Sequence, residues 1–249
     1  MQSILIVIPS RFASTRFPGK PLVQIHGKSM LARVWNQANL VNYANKNIVI
    51  ATDDDRIVEE AKSIGANYIL TSSLHESGTD RVFEAAHKSG ISYDILVNLQ
   101  GDEPFVDPLH IQTLIDSLVV SNASIATLKT PIYSKELVDN PNIVKVVCNT
   151  FNHAMYFSRS NIPFAREGSA VDMHFKHIGL YAFKKEVVPK LQRLAVCKLE
   201  ETEKLEQLRW LYAGFDIVAN TVVGQSLAVD SPADLLGVEK YLKDNPHFI

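Results

Sequence analysis

Several things are scarce in this chain, and each absence narrows its function. Only two cysteines occur in 249 residues, Cys148 and Cys197, far apart and outside any Cys-x-x-Cys pattern. That sets aside a disulfide framework and a thiolate metal site and leaves reduced thiols. Neither sign of charge is in excess, with 25 Lys plus Arg against 27 Asp plus Glu. Without a bulk field there is nothing to hold nucleic acid or an anionic membrane surface, so an anionic ligand must be held by a local cluster. The apolar run at 4–8 is too short to span a bilayer, and Met1-Gln2-Ser3 before it lacks the basic segment and cleavage site of a signal peptide. The expectation is a cytoplasmic protein. No Gly-x-Gly-x-x-Gly follows a strand, which disfavours dehydrogenase chemistry. His26-Gly27-Lys28-Ser29 imitates the end of a Walker A loop, but Leu22 stands where its first glycine belongs, so it reads as a turn leading into a helix.

What is present is 46% hydrophobic residues, enough for a substantial core. Short β-branched runs at 4–8, 48–51, 68–70 and 95–99 alternate with amphipathic stretches at 30–40, 56–64 and 79–88. Asp53 to Asp55 and Ser77 stand where helix starts need capping. This βαβ alternation predicts an α/β fold with a mostly parallel, Rossmann-like sheet flanked by helices. Past Gly101 the runs 125–132, 143–147, 154–158 and 176–183 follow with few helices between them, which predicts an inserted antiparallel lobe over roughly 130–185. Helices resume at 199–213 and 232–243, on either side of a strand at 217–222. Without a linker or an internal repeat, residues 1–249 read as one domain.

In an open α/β sheet ligands bind at the carboxyl ends of the strands, so the loops after the first and fourth strands are the places to look. The first, from Pro9 to Lys20, holds Arg11, Arg16 and Lys20 with Ser14, Thr15 and Gly19. Guanidinium forks, an ammonium, hydroxyls and a small residue suit a polyphosphate. After the fourth strand, Asn98-Leu99-Gln100-Gly101-Asp102-Glu103-Pro104 sets an amide and carboxylates at a glycine turn. A hard cation acting on phosphates takes one or two carboxylates, and Asp102 with Asp230 are the candidates; each could instead serve its own turn or helix start. A third cluster, Glu76-Ser77-Gly78-Thr79-Asp80-Arg81, offers hydroxyls and the amides of a helix N-terminus, for a ligand or merely for capping. On the helix at 199–213, Leu205, Leu208, Leu211 and Tyr212 form an apolar stripe, and Glu206 and Gln207 fall outside it, leaving solvent or a ligand as their partner. His174 and His177 fall on opposite faces of an expected strand, which disfavours a zinc pair.

In order along the chain, these segments resemble the 3-deoxy-D-manno-octulosonate (KDO) cytidylyltransferase family, also called CMP-KDO synthetases. The matching segments are Ile-Pro-Ser-Arg-Phe-Ala-Ser-Thr-Arg-Phe-Pro-Gly-Lys-Pro-Leu at 8–22, Ala-Thr-Asp at 51–53, Ser-Gly-Thr-Asp-Arg at 77–81 and Asn-Leu-Gln-Gly-Asp-Glu-Pro at 98–104. Further on come Asn-Pro-Asn-Ile-Val-Lys-Val-Val at 140–147, Tyr-Phe-Ser-Arg at 156–159, His-Ile-Gly-Leu-Tyr at 177–181, Leu-Glu-Gln-Leu-Arg at 205–209 and Val-Asp-Ser-Pro at 229–232. The resemblance implies Mg²⁺-dependent transfer of CMP from CTP to an acidic eight-carbon sugar for lipopolysaccharide, by a homodimer built through the antiparallel lobe. It implies that Pro9, Arg11, Ser14, Arg16, Gly19, Lys20, Ser77, Gly78, Thr79, Arg81 and Asp102 meet CTP, with Arg16 and Lys20 nearest the phosphates. Asp102 and Asp230 match the metal aspartates. Gln100, Arg159, Arg166, His177, Tyr181, Glu206 and Gln207 would meet the sugar. Where the family often has Ile-Pro-Trp-Asp-Arg, this chain has Ile162-Pro163-Phe164-Ala165-Arg166, which leaves an amino-substituted octulosonate open as the substrate. Sialic acid is a further alternative, and a nucleotide-binding regulator without turnover is the alternative of another class.

Overall fold

The computed structural model describes residues 2–13, 17–75, 77–166, 173–224, 227, 229 and 231–248. The chain divides into two compact units, Met1–Gln112 with Ser226–Ile249, and Thr113–Gln225. Among the described residues no helix is long and apolar enough to cross a membrane.

The first unit contains β1 (Ile4–Pro9), β2 (Gln24–Ile25), β3 (Lys28–Ser29), α1 (Met30–Leu40), β4 (Lys46–Thr52), α2 (Asp55–Ser63), β5 (Asn67–Leu70), α3 (Gly78–Lys88) and β6 (Ile95–Asn98). Its sheet has the order β6-β1-β4-β5, every neighbouring pair parallel. The run Ile4 to Ile8 is buried at every position, as a central strand covered on both faces must be. Full burial of each such side chain contributes roughly 1.5–3 kcal/mol before the entropy cost of folding. Helices α2 and α3 start at caps the sequence indicated, and α1 starts at Ser29 after the turn. Ser29 Oγ accepts from Ala32 N–H at 3.0 Å, Asp54 Oδ1 from Arg56 N–H at 3.0 Å, and Ser77 Oγ from Asp80 N–H at 3.0 Å. The Walker-like tetrapeptide is a β2–β3 hairpin whose two turn residues, His26 and Gly27, have φ of 47° and 73°. That is the left-handed pair a two-residue hairpin turn needs.

Chain order runs β1, β4, β5 in one direction across the sheet, and β6 then returns to the other side of β1. The reversal opens a crevice at the carboxyl ends of β1 and β6, the topological switch point where ligands bind in such sheets.

Helix α4 (Pro108–Val120) leads from the first stretch of unit one into unit two. Sequence reading missed it. The second unit then comprises β7 (Ile125–Pro131), α5 (Lys135–Asp139), β8 (Lys145–Cys148), β9 (Ala154–Ser158), β10 (Phe175–Lys184), α6 (Val188–Leu191), α7 (Lys198–Glu203), α8 (Gln207–Tyr212) and β11 (Ile217–Thr221). β7 pairs in parallel with β11 and antiparallel with β10, and the antiparallel series continues through β8 to β9. The predicted mixed, antiparallel-rich stretch therefore lies here. The helix expected at 199–213 is two helices, because Lys204 adopts the left-handed conformation (φ 52°, ψ 48°) and ends α7. The break changes the register and corrects the expected stripe: Trp210 and Gln207 are buried and Tyr212 is 72% exposed.

The chain returns to the first unit with α9 (Leu235–Asp244). Val229, Val238, Leu242 and Phe248 join Ile25, Met30 and Phe105 in one buried cluster. Arg33 lies under it, its guanidinium donating twice to Ile25 O (3.0 and 2.7 Å) and once to Phe248 O (2.6 Å). Burial lowers its pKa, and the carbonyls satisfy its donors without a carboxylate.

Candidate active site

At the switch point the first unit has a pocket of about 170 Å³ lined by Pro9, Ser10, Arg11, Lys20, Pro21, Gly78, Gln100, Gly101 and Asp102. Whole drug-sized ligands occupy roughly 300–1,000 Å³, so this recess fits one end of a nucleotide.

Two local devices shape the loop after β1. Gly19 has φ +73°, and a Cβ there would stand 3.1 Å from Cζ of Phe12. Phe12 in turn lies under the Arg56 guanidinium, 3.2 Å from Cζ to ring centroid. Phe12 O accepts from Gly19 N–H at 2.9 Å, closing the loop on itself. Lys20 then begins a 3-10 turn (Lys20–Leu22), and its ammonium donates to Asp102 Oδ2 at 3.0 Å. The pair is partly buried.

The loop after β6 is held tightly against β1. A Cβ on Gly101 would lie 2.7 Å from Pro9 O and 3.2 Å from Ser10 Oγ. Asp102 O accepts from Val229 N–H at 3.1 Å, so Val229 lies against the Asp102 turn. Asp230 itself, like Ser14 and Arg16, lies outside the described residues. Asn98, fully buried, donates to Thr79 Oγ1 at 3.3 Å, and Gln100 Nε2 donates to Asn98 Oδ1 at 3.4 Å. These contacts tie the pocket floor to the start of α3.

The third cluster divides by role. Ser77 Oγ is spent on Asp80, accepting from its N–H and donating to Oδ2 at 2.9 Å. Ser77 O accepts from Arg11 Nη2 at 2.9 Å, and Gly78 lines the pocket. Arg81 is fully buried, paired with Asp53 Oδ2 at 3.0 Å and hydrogen-bonded to Thr71 Oγ1. Burial, reinforced by Arg81, lowers the Arg11 pKa. The structure thus gathers Pro9, Arg11, Lys20, Gly78 and Asp102 of the predicted nucleotide set at the pocket, together with Gln100 of the sugar set, while Arg81 buttresses the wall from behind.

Among the described residues no group of three or more His, Cys, Asp or Glu side chains converges on one point. Among the described lining residues Asp102 supplies the carboxylate and Gln100 an amide. That donor set fits a hard cation that keeps several waters and draws further oxygens from phosphates.

The remaining sugar candidates lie in the second unit. His177 is buried, and its Nε2 is 3.0 Å from both Thr127 Oγ1 and Tyr181 OH. Phe157 meets its ring edge-on at a centroid distance of 4.9 Å. Tyr181 packs against Phe183 and Trp210. The β10 strand that carries both residues has a register shift between Ile178 and Ala182, the kind of irregularity that re-aims side chains. Glu206 pairs with Arg209 at 3.0 Å, so a protein cation as well as solvent faces it. Gln207 is 5% exposed, in contrast to the exposed face expected of it. Arg159 spends its guanidinium on backbone, with Nε donating to Glu203 O at 2.7 Å and Nη1 to Pro141 O at 3.1 Å. Buried Lys145 donates to Asn140 O, Ile143 O and Arg159 O at 3.0, 2.8 and 2.6 Å, fixing the same corner. Arg166 is exposed. His174 precedes β10 and has Asn161 Oδ1 and Pro163 O each 2.9 Å from its Nε2.

Desolvation, then Lys176, pushes the His177 pKa down to about 3, and desolvation, then Glu206, raises that of Tyr181. Near neutral pH this pair therefore offers neutral hydrogen-bonding groups. Below the ordinary value of 6.5 the unfolded chain takes up a proton that the folded one refuses, so stability falls as the pH drops from about 6.5 towards 3. The expected slope from this one residue is about 1.4 kcal/mol per pH unit. Urea unfolding of wild type and His177→Gln at pH 6.5, 5.5 and 4.5 measures it. Parallel stability curves would contradict the assignment.

Fold and pocket together define an α/β nucleotide-binding protein with cationic and carboxylate groups at the switch point, and residues 5–217 match the cytidylyltransferase family profile. Two relatives called 3-deoxy-manno-octulosonate cytidylyltransferase narrow the class. One, from Parabacteroides distasonis, is 43% identical over 94% of this chain and 96% of its own length. Another, from Solibacter usitatus, is 45% identical over 97% and 95%. The solved structure of a CMP:2-keto-3-deoxy-manno-octonic acid synthetase complexed with CTP covers 98% of this chain and 99% of its own at TM-score 0.91 and 39% identity. The chain belongs to the 3-deoxy-manno-octulosonate cytidylyltransferase family. A 4-diphosphocytidyl-2C-methyl-D-erythritol synthase from Anaerococcus prevotii, at 13% identity and TM-score 0.63, shares the fold alone.

Proposed function

We propose that this protein transfers CMP from CTP to the anomeric hydroxyl of 3-deoxy-D-manno-octulosonate, releasing pyrophosphate and supplying an activated sugar for lipopolysaccharide. Family membership over nearly the full chain suggests the reaction; the carrying observation is a pocket at the switch point where Lys20 and Asp102 stand 3.0 Å apart. The oxygen of the sugar's anomeric hydroxyl bonds to the α-phosphorus of CTP, the bond from that phosphorus to the bridging oxygen breaks, and the hydroxyl proton leaves to solvent or buffer. Such a transfer needs positioning and charge stabilisation more than covalent catalysis.

Arg11 and Gly78 hold the nucleoside end, while Lys20, with Arg16, neutralises charge that builds on the departing pyrophosphate. The Lys20 ammonium, paired with Asp102 in the free protein, turns to the phosphates when they arrive. Asp102 and Asp230 would hold Mg²⁺, which would supply Lewis-acid charge for the transfer. Arg166, Glu206 and Gln207 meet the sugar, neutral His177 and Tyr181 serve its hydroxyls, and Arg159, assigned to the sugar by the resemblance, instead holds the Glu203 and Pro141 carbonyls. The working form is a cytoplasmic homodimer.

The decisive assay is pyrophosphate release from CTP and Mg²⁺ with KDO, its amino-substituted analogue and sialic acid in parallel. Turnover with KDO well above the other two is the expected result. Preference for the amino sugar would move the substrate one step within the family, as the Ala165 substitution allows. Silence with all three, despite CTP binding, would leave a nucleotide-binding regulator.

A further inference from the structure

Among the buried side-chain atoms that lack a hydrogen-bond partner within the described residues, Ser10 Oγ is the one on the wall of the nucleotide pocket. Ser10 is 2% exposed, and its backbone N–H is already used, donating to Ala51 O at 2.8 Å. The hydroxyl lies beside Gly101, whose missing Cβ would come within 3.2 Å of it. A hydroxyl carries one donor hydrogen and two acceptor lone pairs. Leaving it buried and unpaired costs stability, which is why such groups are few in native proteins and call for a reason. Alanine at this point would fill nearly the same space without that cost. Gly101 therefore gives the Ser10 hydroxyl room beside the pocket, and among the described residues it has no internal partner.

We propose that the Ser10 hydroxyl is a nucleotide-binding group that hydrogen-bonds a polar edge of the pyrimidine ring. This rests on the reading of the pocket as the CTP site. The chemistry of the groups in this one pocket points to the base. Lys20 and Asp102 carry the charged chemistry suited to phosphates and a cation, whereas Ser10 lies next to Arg11 in sequence and shares the pocket with Gly78 and Gln100. Of these, Gln100 offers the neutral hydrogen bonding and Gly78 the close backbone approach that a flat heterocycle needs, and Arg11 is turned to the Ser77 carbonyl. Being both donor and acceptor, the hydroxyl can meet either a ring carbonyl or an exocyclic amine, so it adds affinity for a pyrimidine without itself choosing between cytosine and uracil.

The test is calorimetric titration of wild type and Ser10→Ala with CTP, CMP and pyrophosphate, alongside thermal melts of the ligand-free proteins. Losing one neutral hydrogen bond predicts CTP and CMP binding weakened by a common factor of about 5 to 10. Pyrophosphate binding stays equal in the two proteins, and the ligand-free variant melts no lower than wild type. Equal CTP affinities would overturn the inference, and so would a loss that pyrophosphate shares. A ligand-free variant that melts well below wild type would also overturn it, because the hydroxyl would then be serving the fold. These ratios do not depend on turnover: wild type that binds CTP but releases no pyrophosphate with any sugar removes the proposed reaction and leaves this inference standing.

Discussion

Asp102→Asn is expected to reduce turnover at least about 10²-fold, the scale on which one group that stabilises transition-state charge is felt. The substitution keeps shape and removes one negative charge beside Lys20, 3.0 Å away. Because both side chains are partly exposed, the lost ion pair should cost the fold little. Asp230→Asn is expected to fall by a similar factor, since the two aspartates are assigned to one cation. Steady-state kinetics over a range of Mg²⁺ concentrations, with thermal melts to show intact folding, supply the check. Near-normal rates in a folded Asp102→Asn protein would remove it from the metal site.

The second large effect is expected at Gly101. Alanine there would put a methyl group 2.7 Å from the Pro9 carbonyl, a backbone atom that cannot swing aside. The end of β1 and the turn after β6 must then separate. Overpacking of this kind costs about 1–3 kcal/mol, and a displacement near 1 Å at reacting groups can cost about 10²-fold in rate. Both a lower melting temperature and a raised KM for CTP are therefore expected. Gly237→Ala, in α9 with open space around its Cβ position, is the control, expected to be neutral or slightly stabilising. If Gly101→Ala behaves like Gly237→Ala, the close approach of the two loops is not required.

Where local chemistry decides structure, the sequence was readable. α1 spans Met30–Leu40 as the sequence indicated: Ser29 caps its start, and burial runs through Met30, Leu31, Ala32, Arg33 and Val34 before returning at Ala38. The parallel strands announced themselves by unbroken β-branched runs. Helix α4 escaped because Leu109, Val119 and Val120 are exposed while Ile111, Leu114, Ile115 and Leu118 are buried. Apolar residues all around a helix erase the amphipathic signal. A quieter signal was there, since Asp107 Oδ1 caps the Leu109 N–H at 2.8 Å just ahead of Pro108. The break at Lys204 had no comparable mark, because lysine rarely adopts the left-handed conformation.

The site was legible in the same uneven way. Position after a strand pointed to Lys20 and Asp102, and proximity then joined them. Ser10 passed unnoticed inside the motif at 8–22, for nothing in a serine's identity says that its hydroxyl will be buried without a partner. Buried Arg33 and Lys145 were invisible too, since long cations default to the surface until carbonyls are found to surround them.

The cluster joining Phe105 to Val229, Val238, Leu242 and Phe248 has a consequence for how the protein is made. A ribosome delivers β1 to β6 early, yet the Asp102 turn gains its Val229 hydrogen bond, and Arg33 its Phe248 acceptor, only after residues 113–225 have been translated. Until those residues are made, Ile25, Met30 and Phe105 lack the partners that Val229, Val238, Leu242 and Phe248 supply in the finished cluster. Synthesis that stalls before α9 would release a species able to form β1 and β6 but unable to close the core behind the Asp102 turn.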